Sequence, residues 1–205
     1  MGESGKVYGW GAGLTHFNEK VSSTPVVLDE VNYFLHSHHA HVKKMKSTGS
    51  NAFFLLDDGR IYVIGLNNGG VFATRENPRI MVDNKLIGLT KIVDHDLHGE
   101  KIVKFKVSAN CLIFLTEGGR VFYSGMHSRF RPERFPVKEG TVKTIFATTD
   151  SVGVIDKDGR IGYLNDEIIS NSEKKDGVFV SRDESLNNTI KIGGAYSLRY
   201  ALVKN

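Results

Sequence analysis

Apolar residues along this chain come in short runs closed by tight polar clusters, and three of these punctuated segments share one pattern. They are Phe53-Phe-Leu-Leu-Asp-Asp-Gly-Arg-Ile-Tyr62, Ile113-Phe-Leu-Thr-Glu-Gly-Gly-Arg-Val-Phe122 and Gly153-Val-Ile-Asp-Lys-Asp-Gly-Arg-Ile-Gly162. Each holds an apolar run, a turn with a glycine, an arginine and a second apolar run. Runs of this length bounded by Gly and Asp mark strands rather than helices. Asp58-Gly59, Gly118-Gly119 and Asp158-Gly159 predict type I′ hairpin turns, whose positive φ angles favour Gly, Asn and Asp.

A strand signature precedes each hairpin at a constant offset. Met45, Phe105 and Ile145 stand fourteen residues before the turn glycine, and Val42, Ile102 and Val142 three residues earlier. Lys44 and Lys104 fill the same intervening slot, where the third copy has Thr144; Gly65 and Gly125 follow the turn by six residues, with Asn165 in the third copy. Each unit therefore predicts an outer strand, a two-stranded hairpin and a return loop. A fourth copy is divided between the ends: Ile190-Lys-Ile192 and residues 200–205 match the first half of a unit, Gly5-Lys-Val-Tyr-Gly-Trp-Gly11 the second. The turn glycines are then Gly5, Gly59, Gly119 and Gly159, separated by 54, 60 and 40 residues. Repetition of this kind predicts an all-β fold, a β-propeller or partial propeller of about four antiparallel blades, with residues 1–205 as one repeat domain. One blade is split between the N- and C-termini. Residues 200–205 are expected to pair antiparallel with residues 6–10, within the molecule or across to a second one, because an unpaired apolar edge invites aggregation.

The strand, the hairpin and the Trp-Gly that follows it resemble the regulator of chromosome condensation repeat family. The resemblance is best in Gly5-Lys-Val-Tyr-Gly-Trp-Gly-Ala-Gly13 and next in Asp58-Gly-Arg-Ile-Tyr-Val-Ile-Gly-Leu-Asn-Asn-Gly-Gly70. Several slots depart from the family pattern. Its Gly and His before the hairpin are replaced by Thr48 and Asn51, Ser108 and Cys111, Thr148 and Ser151, and Ala195 and Leu198; Trp10 fills the Trp slot only once. The resemblance implies a propeller, usually of seven blades, and admits nucleotide exchange on a small GTPase as a function. Four units in place of seven argue against a function that needs the whole disc.

Composition adds limits. Of 205 residues 40% are apolar, enough for a sizeable core and against disorder. The 27 basic and 23 acidic residues leave only +4, an excess that does not call for nucleic acid. A single cysteine, Cys111, sits in an apolar run, which excludes an intrachain disulfide and favours a reducing, intracellular compartment, cytoplasm and mitochondrion not being distinguished. No stretch reaches the roughly 18 apolar residues of a membrane span. The opening Met-Gly-Glu-Ser-Gly-Lys has neither the apolar core of a signal peptide nor the Arg-rich face of a transit peptide.

Two clusters carry candidate chemistry. His36, His38, His39 and His41 could bind zinc or copper, but no Cys, Asp or Glu completes the set. Their first reading is a solvated or partner-contacting polar connection before the strand at Val42. Arg129, Phe130, Arg131, Arg134 and Phe135 interleave guanidinium groups with aromatic rings, a composition enriched in protein interfaces. Nothing else along the chain builds a basic stripe, which argues against nucleic acid there. The glycines of 65–70 and 9–13 precede no evident helix and lack a following Lys-Ser or Lys-Thr, so they are turn glycines rather than phosphate loops. Asp57, Asp58, Asp156 and Asp158 fall at hairpin tips, where water denies them the desolvation an acid–base pair needs. Two connections, near 77–98 and 165–188, exceed the compact repeat and are candidates for a binding face.

These features predict a non-catalytic protein-interaction or scaffold module, an accessory subunit of a larger multiprotein assembly, with other proteins as partners and no cofactor. Guanine-nucleotide exchange and a metal-dependent enzyme built on the histidine cluster are the alternatives.

Overall fold

The computed structural model describes residues 5–17, 20–66, 71–72, 81–82, 85–92, 97–125, 132–149, 151–164, 172–175, 178–181, 184–195 and 198–204. Among the described residues eighteen strands form five antiparallel sheets, and there is one α-helix. The first sheet has two strands, β1 (Tyr8–Gly11) and β2 (Ser22–Val27), followed by helix α1 (Asp29–Ser37). The second has five, in the order β3 (Val42–Ser47), β4 (Asn51–Leu56), β5 (Ile61–Leu66), β7 (Lys85–Lys91), β6 (Met81–Val82). The third has four: β8 (Ile102–Val107), β9 (Cys111–Thr116), β10 (Val121–Gly125) and β11 (Glu133–Arg134). The fourth runs β12 (Val142–Ala147), β13 (Val152–Asp156), β14 (Ile161–Tyr163), β16 (Val178–Ser181), β15 (Ser172–Lys175), and the fifth pairs β17 (Thr189–Ala195) with β18 (Leu198–Val203).

Side-chain direction explains how these sheets stack. Phe53 and Leu55 of β4 pack with Phe105, Leu112 and Phe114 of the third sheet, while Ala52, Phe54 and Leu56 pack on Val7, Leu28, Val31 and Leu35 at the other side. In β9, Leu112 and Phe114 face the second sheet, and Cys111 and Ile113 face Ile145, Val152 and Val154 of the fourth. In β13, Val152 and Val154 face back, whereas Ile155 joins Phe146, Ile161 and Tyr163 against Leu186 and Ile192. A middle strand buried on both faces cannot alternate apolar with polar, which is why these strands read as continuous apolar runs. The result is an arc of three whole blades flanked by two half-blades, an all-β partial propeller.

The three complete hairpins share one geometry, and it differs from the expected type I′ turn. Gly59, Gly119 and Gly159 have φ of +80°, +83° and +80°, whereas Asp58, Gly118 and Asp158 do not enter the positive-φ region. The Gly59 amide donates to the Leu56 carbonyl and the Leu56 amide to the Arg60 carbonyl, as do Gly119 with Thr116 and Gly159 with Asp156. This is a three-residue loop, a type I turn followed by a left-handed glycine in a bulge, and one positive φ suffices. The turn glycines also join blades: the Gly59 carbonyl accepts from Ile102 N at 2.8 Å, and the Gly159 carbonyl from Thr189 N at 3.3 Å. The Thr48, Ser108 and Thr148 amides each donate to the carbonyl three residues on, closing the turn between first and second strands.

Two other expectations are corrected and one is extended. The first strand of each unit lies innermost rather than outermost, because β3, β8, β12 and β17 approach one another in succession. The long connections, read as candidates for a binding face, supply strands as well: β7 and β16, drawn from them, pair with β5 and β14. Within the chain the two ends do not pair with each other. β1 bonds to β2 and β18 to β17, in separate sheets. Three whole blades intervene, each packed face to face with both neighbours, and the half-blades stand at the two ends of that series.

A Cβ on Gly59 would stand 2.5 Å from the Lys101 Cβ, on a backbone at φ +80°. Gly59→Val is expected to cost roughly 1–3 kcal/mol. Chemical denaturation measures it, and an unchanged midpoint contradicts the turn assignment.

Candidate protein-interaction surfaces

The histidines belong to a helix end rather than to a polar connection. Val31 and Leu35 fix the buried face of α1, and Asp29 and Glu30 lie in its first turn, where they suit the helix dipole. The Asn32 side chain holds the helix on β1's entry, accepting from Val7 N and donating to Val7 O, both at 2.8 Å. At the other end, His39 takes φ +49°, its amide donates to the His36 carbonyl, and the Ala40 amide donates to the Leu35 carbonyl. Those paired bonds form a Schellman cap, with His39 in the left-handed position that glycine usually takes. His38 stacks on Phe34 at 4.1 Å, and its Nδ1 lies 3.0 Å from both the Phe34 carbonyl and Ser37 Oγ. All four histidines are exposed, and among the described residues no three His, Cys, Asp or Glu side chains are grouped to hold a metal ion. The backbones of His36, His38 and His39 are engaged in closing the helix, whereas His41 exchanges bonds with Asp57 of the hairpin beyond it. What the cap does create is an open depression of about 400 Å³, where His38 and His39 face Asp57, Asp58 and Tyr62.

The arginine–phenylalanine cluster divides. Arg129, Phe130 and Arg131 lie outside the described residues. Arg134 is exposed and pairs with Glu139. Phe135 is fully buried against Tyr123, with Cys111, Ile113 and Ile145 in the same cluster. It is core, not contact, because the β10–β11 pairing at Phe122 and Arg134 turns the next side chain inward. The turn glycines Gly5, Gly59, Gly119 and Gly159 all hold positive φ, and the carboxylates of Asp156 and Asp158 are engaged by Arg160 at 2.9 and 2.6 Å.

A basic stripe does exist, contrary to the reading along the chain, and the fold assembles it. Each first strand carries the same bulge: the register to its partner slips between Val42 and Lys44, Ile102 and Lys104, Val142 and Thr144, and Thr189 and Lys191. Bulges re-aim side chains. The repeated one sets Lys44, Lys104, Thr144 and Lys191 in one tier along the inner edge, with Lys46 and Lys106 two residues on. Lys104 Nζ donates to Thr144 Oγ1 of the next blade at 2.6 Å, and Lys44 Nζ stands 6.0 Å from the Phe105 ring centre. Burial, and then the Lys44 charge, holds Lys104 below the ordinary lysine range. Lys106 is lowered by burial and then by Lys44, Lys46, Lys104 and Lys191. Among the described residues none of these five lysines forms an ion pair with a carboxylate.

The ends of the arc expose what its middle buries. Trp10 occupies the slot of Ile64, yet is 64% exposed against 1%; Leu202 occupies the slot of Leu55, at 57% against 3%. Tyr8 and Tyr200 lie exposed beside them.

No family model and no curated protein matches the chain. Solved structures do. Human WBSCR16 aligns with 98% of this chain and 54% of its own, at a TM-score of 0.73 and 16% identity. Yeast RCC1 (Prp20), solved with Kap60 bound, aligns with 97% of this chain and 50% of its own, at 0.75 and 15%. Prp20p from Saccharomyces cerevisiae aligns with 96% and 51%, at 0.66 and 14%. The fold is that of an RCC1-type propeller, in part. The chain spans about half the length of these structures, and at such identities the likeness shows fold alone. Among the described residues no helix is long and apolar enough to cross a membrane.

Phe135→Ala is expected to cost about 3–5 kcal/mol of stability, whereas Arg134→Ala should stay within roughly 0.5 kcal/mol because its ion pair is exposed. Equal effects in thermal or chemical denaturation would contradict this division of the cluster.

Proposed function

We propose that the chain is a non-catalytic protein-binding module, working as an accessory or scaffold part of a larger protein assembly. One observation carries the reading: Trp10, Tyr8, Tyr200 and Leu202 expose apolar surface at positions whose counterparts in the inner blades are buried or partly buried against a neighbouring sheet. Exposed apolar residues at each of the two end strands are a protein contact or an aggregation hazard. Their natural cover is another β-sheet face, supplied by further blades or by a separate polypeptide. The yeast RCC1 structures show that propellers of this fold take protein partners, one being bound to Kap60 and one being described with its binding to Gsp1p and histones. Arg134, with Arg129 to Arg131 before it, remains a candidate contact beside the blade edge. Among the described residues no arrangement favours the exchange-factor or metalloenzyme alternatives.

Trp10 is the only tryptophan and reports directly on cover. The purified chain should emit at the wavelength of a solvated indole and be quenched readily by acrylamide, and adding the native partner should shift emission to shorter wavelength. Trp10→Ala with Leu202→Ala should leave stability within about 0.5 kcal/mol and abolish partner recovery. Unchanged recovery, or unfolding of the double variant, would contradict the reading.

A further inference from the structure

Positive charge concentrated on neighbouring strands carries a cost, and at the inner edge no described carboxylate offsets it. Like charges on neighbouring strands destabilise a sheet, and low-dielectric surroundings sharpen the effect. Here Lys44, Lys46, Lys104, Lys106 and Lys191 converge from three blades although they lie far apart in sequence. The chain as a whole holds only four more basic than acidic residues, so the concentration is local. It is also built in register: the same bulge in each first strand delivers the same slot to the same tier, and Thr144 continues the tier as a polar member hydrogen-bonded to Lys104.

We propose that this inner lysine tier is a binding site for an acidic polypeptide segment rich in Asp and Glu. The ligand must be anionic because five lysines converge with no ion pair to a carboxylate among the described residues. It must be extended because the lysines are spread over three sheets, on β3, β8 and β17, rather than clustered round a point. Three features favour a polypeptide over a nucleic acid. The tier contains no arginine, the side chain whose fork matches phosphate. Among the described residues Phe105 and Phe146 beside the tier are buried, and a single exposed ring, Tyr200 over Gly193, does not make the run of stacking platforms on which single-strand binding depends. Lysine presents a compact point charge that suits a carboxylate, and Lys44 holds its ammonium 6.0 Å from the centre of the buried Phe105 ring. The site is separate from the exposed end faces and does not rest on them.

The test is fluorescence anisotropy of a labelled oligoglutamate peptide, beside an oligothymidylate of equal charge, at low and physiological salt. Lys44→Gln with Lys104→Gln and Lys191→Gln should weaken peptide binding at least about tenfold. Lys43→Gln with Lys138→Gln and Lys143→Gln removes the same charge from exposed positions and should leave affinity within about twofold. Lys46→Gln with Lys106→Gln, which breaks no described hydrogen bond, is the independent check on the second tier and should weaken binding several-fold. All three variants should keep the wild-type thermal midpoint, or raise it where repulsion is relieved. Failure of the peptide to bind overturns the proposal. So does equal weakening by the control variant, which would mean net charge alone, and so does tighter binding of the oligothymidylate, which would make the tier a nucleic-acid site.

Discussion

Burial of the second strand of every blade on both faces is the constraint from which the rest of this structure follows. β4, β9 and β13 each give alternate side chains to two different interblade cores. No blade can be stable alone under that arrangement, because each depends on a sheet at either side. Stability then runs along the arc as a sum of neighbour interfaces, as in other repeat proteins. The turn glycines serve the same end, since their carbonyls accept bonds from the next blade and their bare Cα lets that blade approach. Where the series stops, the same alternation leaves Trp10 and Leu202 in water.

The inner edge obeys a second, local constraint. A single bulge repeated at one slot in four first strands turns a sequence feature of each blade into a spatial row. The lysines of that row are 60 or more residues apart in places, yet they perturb one another. Surface built this way is sensitive to the curvature of the arc, so stability of the interblade cores and the electrostatics of the inner edge are linked. A substitution such as Phe105→Ala would loosen a core and, in the same step, remove the ring beneath Lys44.

Much of the blade was legible in the sequence because it is local. The glycine of each hairpin, the apolar run before it and the constant offset to Met45, Phe105 and Ile145 all lie within one unit, and they place strands correctly. The turn type was misread because Asp58 and Asp158 tolerate positive φ without adopting it. Helix α1 escaped because its signals, Asp29-Glu30 and the Val31–Leu35 spacing, occupy only nine residues between strands. The lysine tier could not be read from neighbours in sequence, since sheet stacking creates it. Phe135 looked like an interface residue for the same reason: composition suggests contact, while only the β10–β11 register reveals that it points inward. Pairing of the chain ends was inferred from matching registers, which are real; what register does not contain is the angle between blades.

Native-state amide hydrogen exchange on the isolated chain tests this account most directly. It predicts slow exchange throughout β4, β9 and β13, and fast exchange at the outward-facing amides of β1 and β18, where a half-blade has no further strand. Equal protection of β1 and β18 with the middle strands would contradict it, because the chain ends would then be covered and the ring closed.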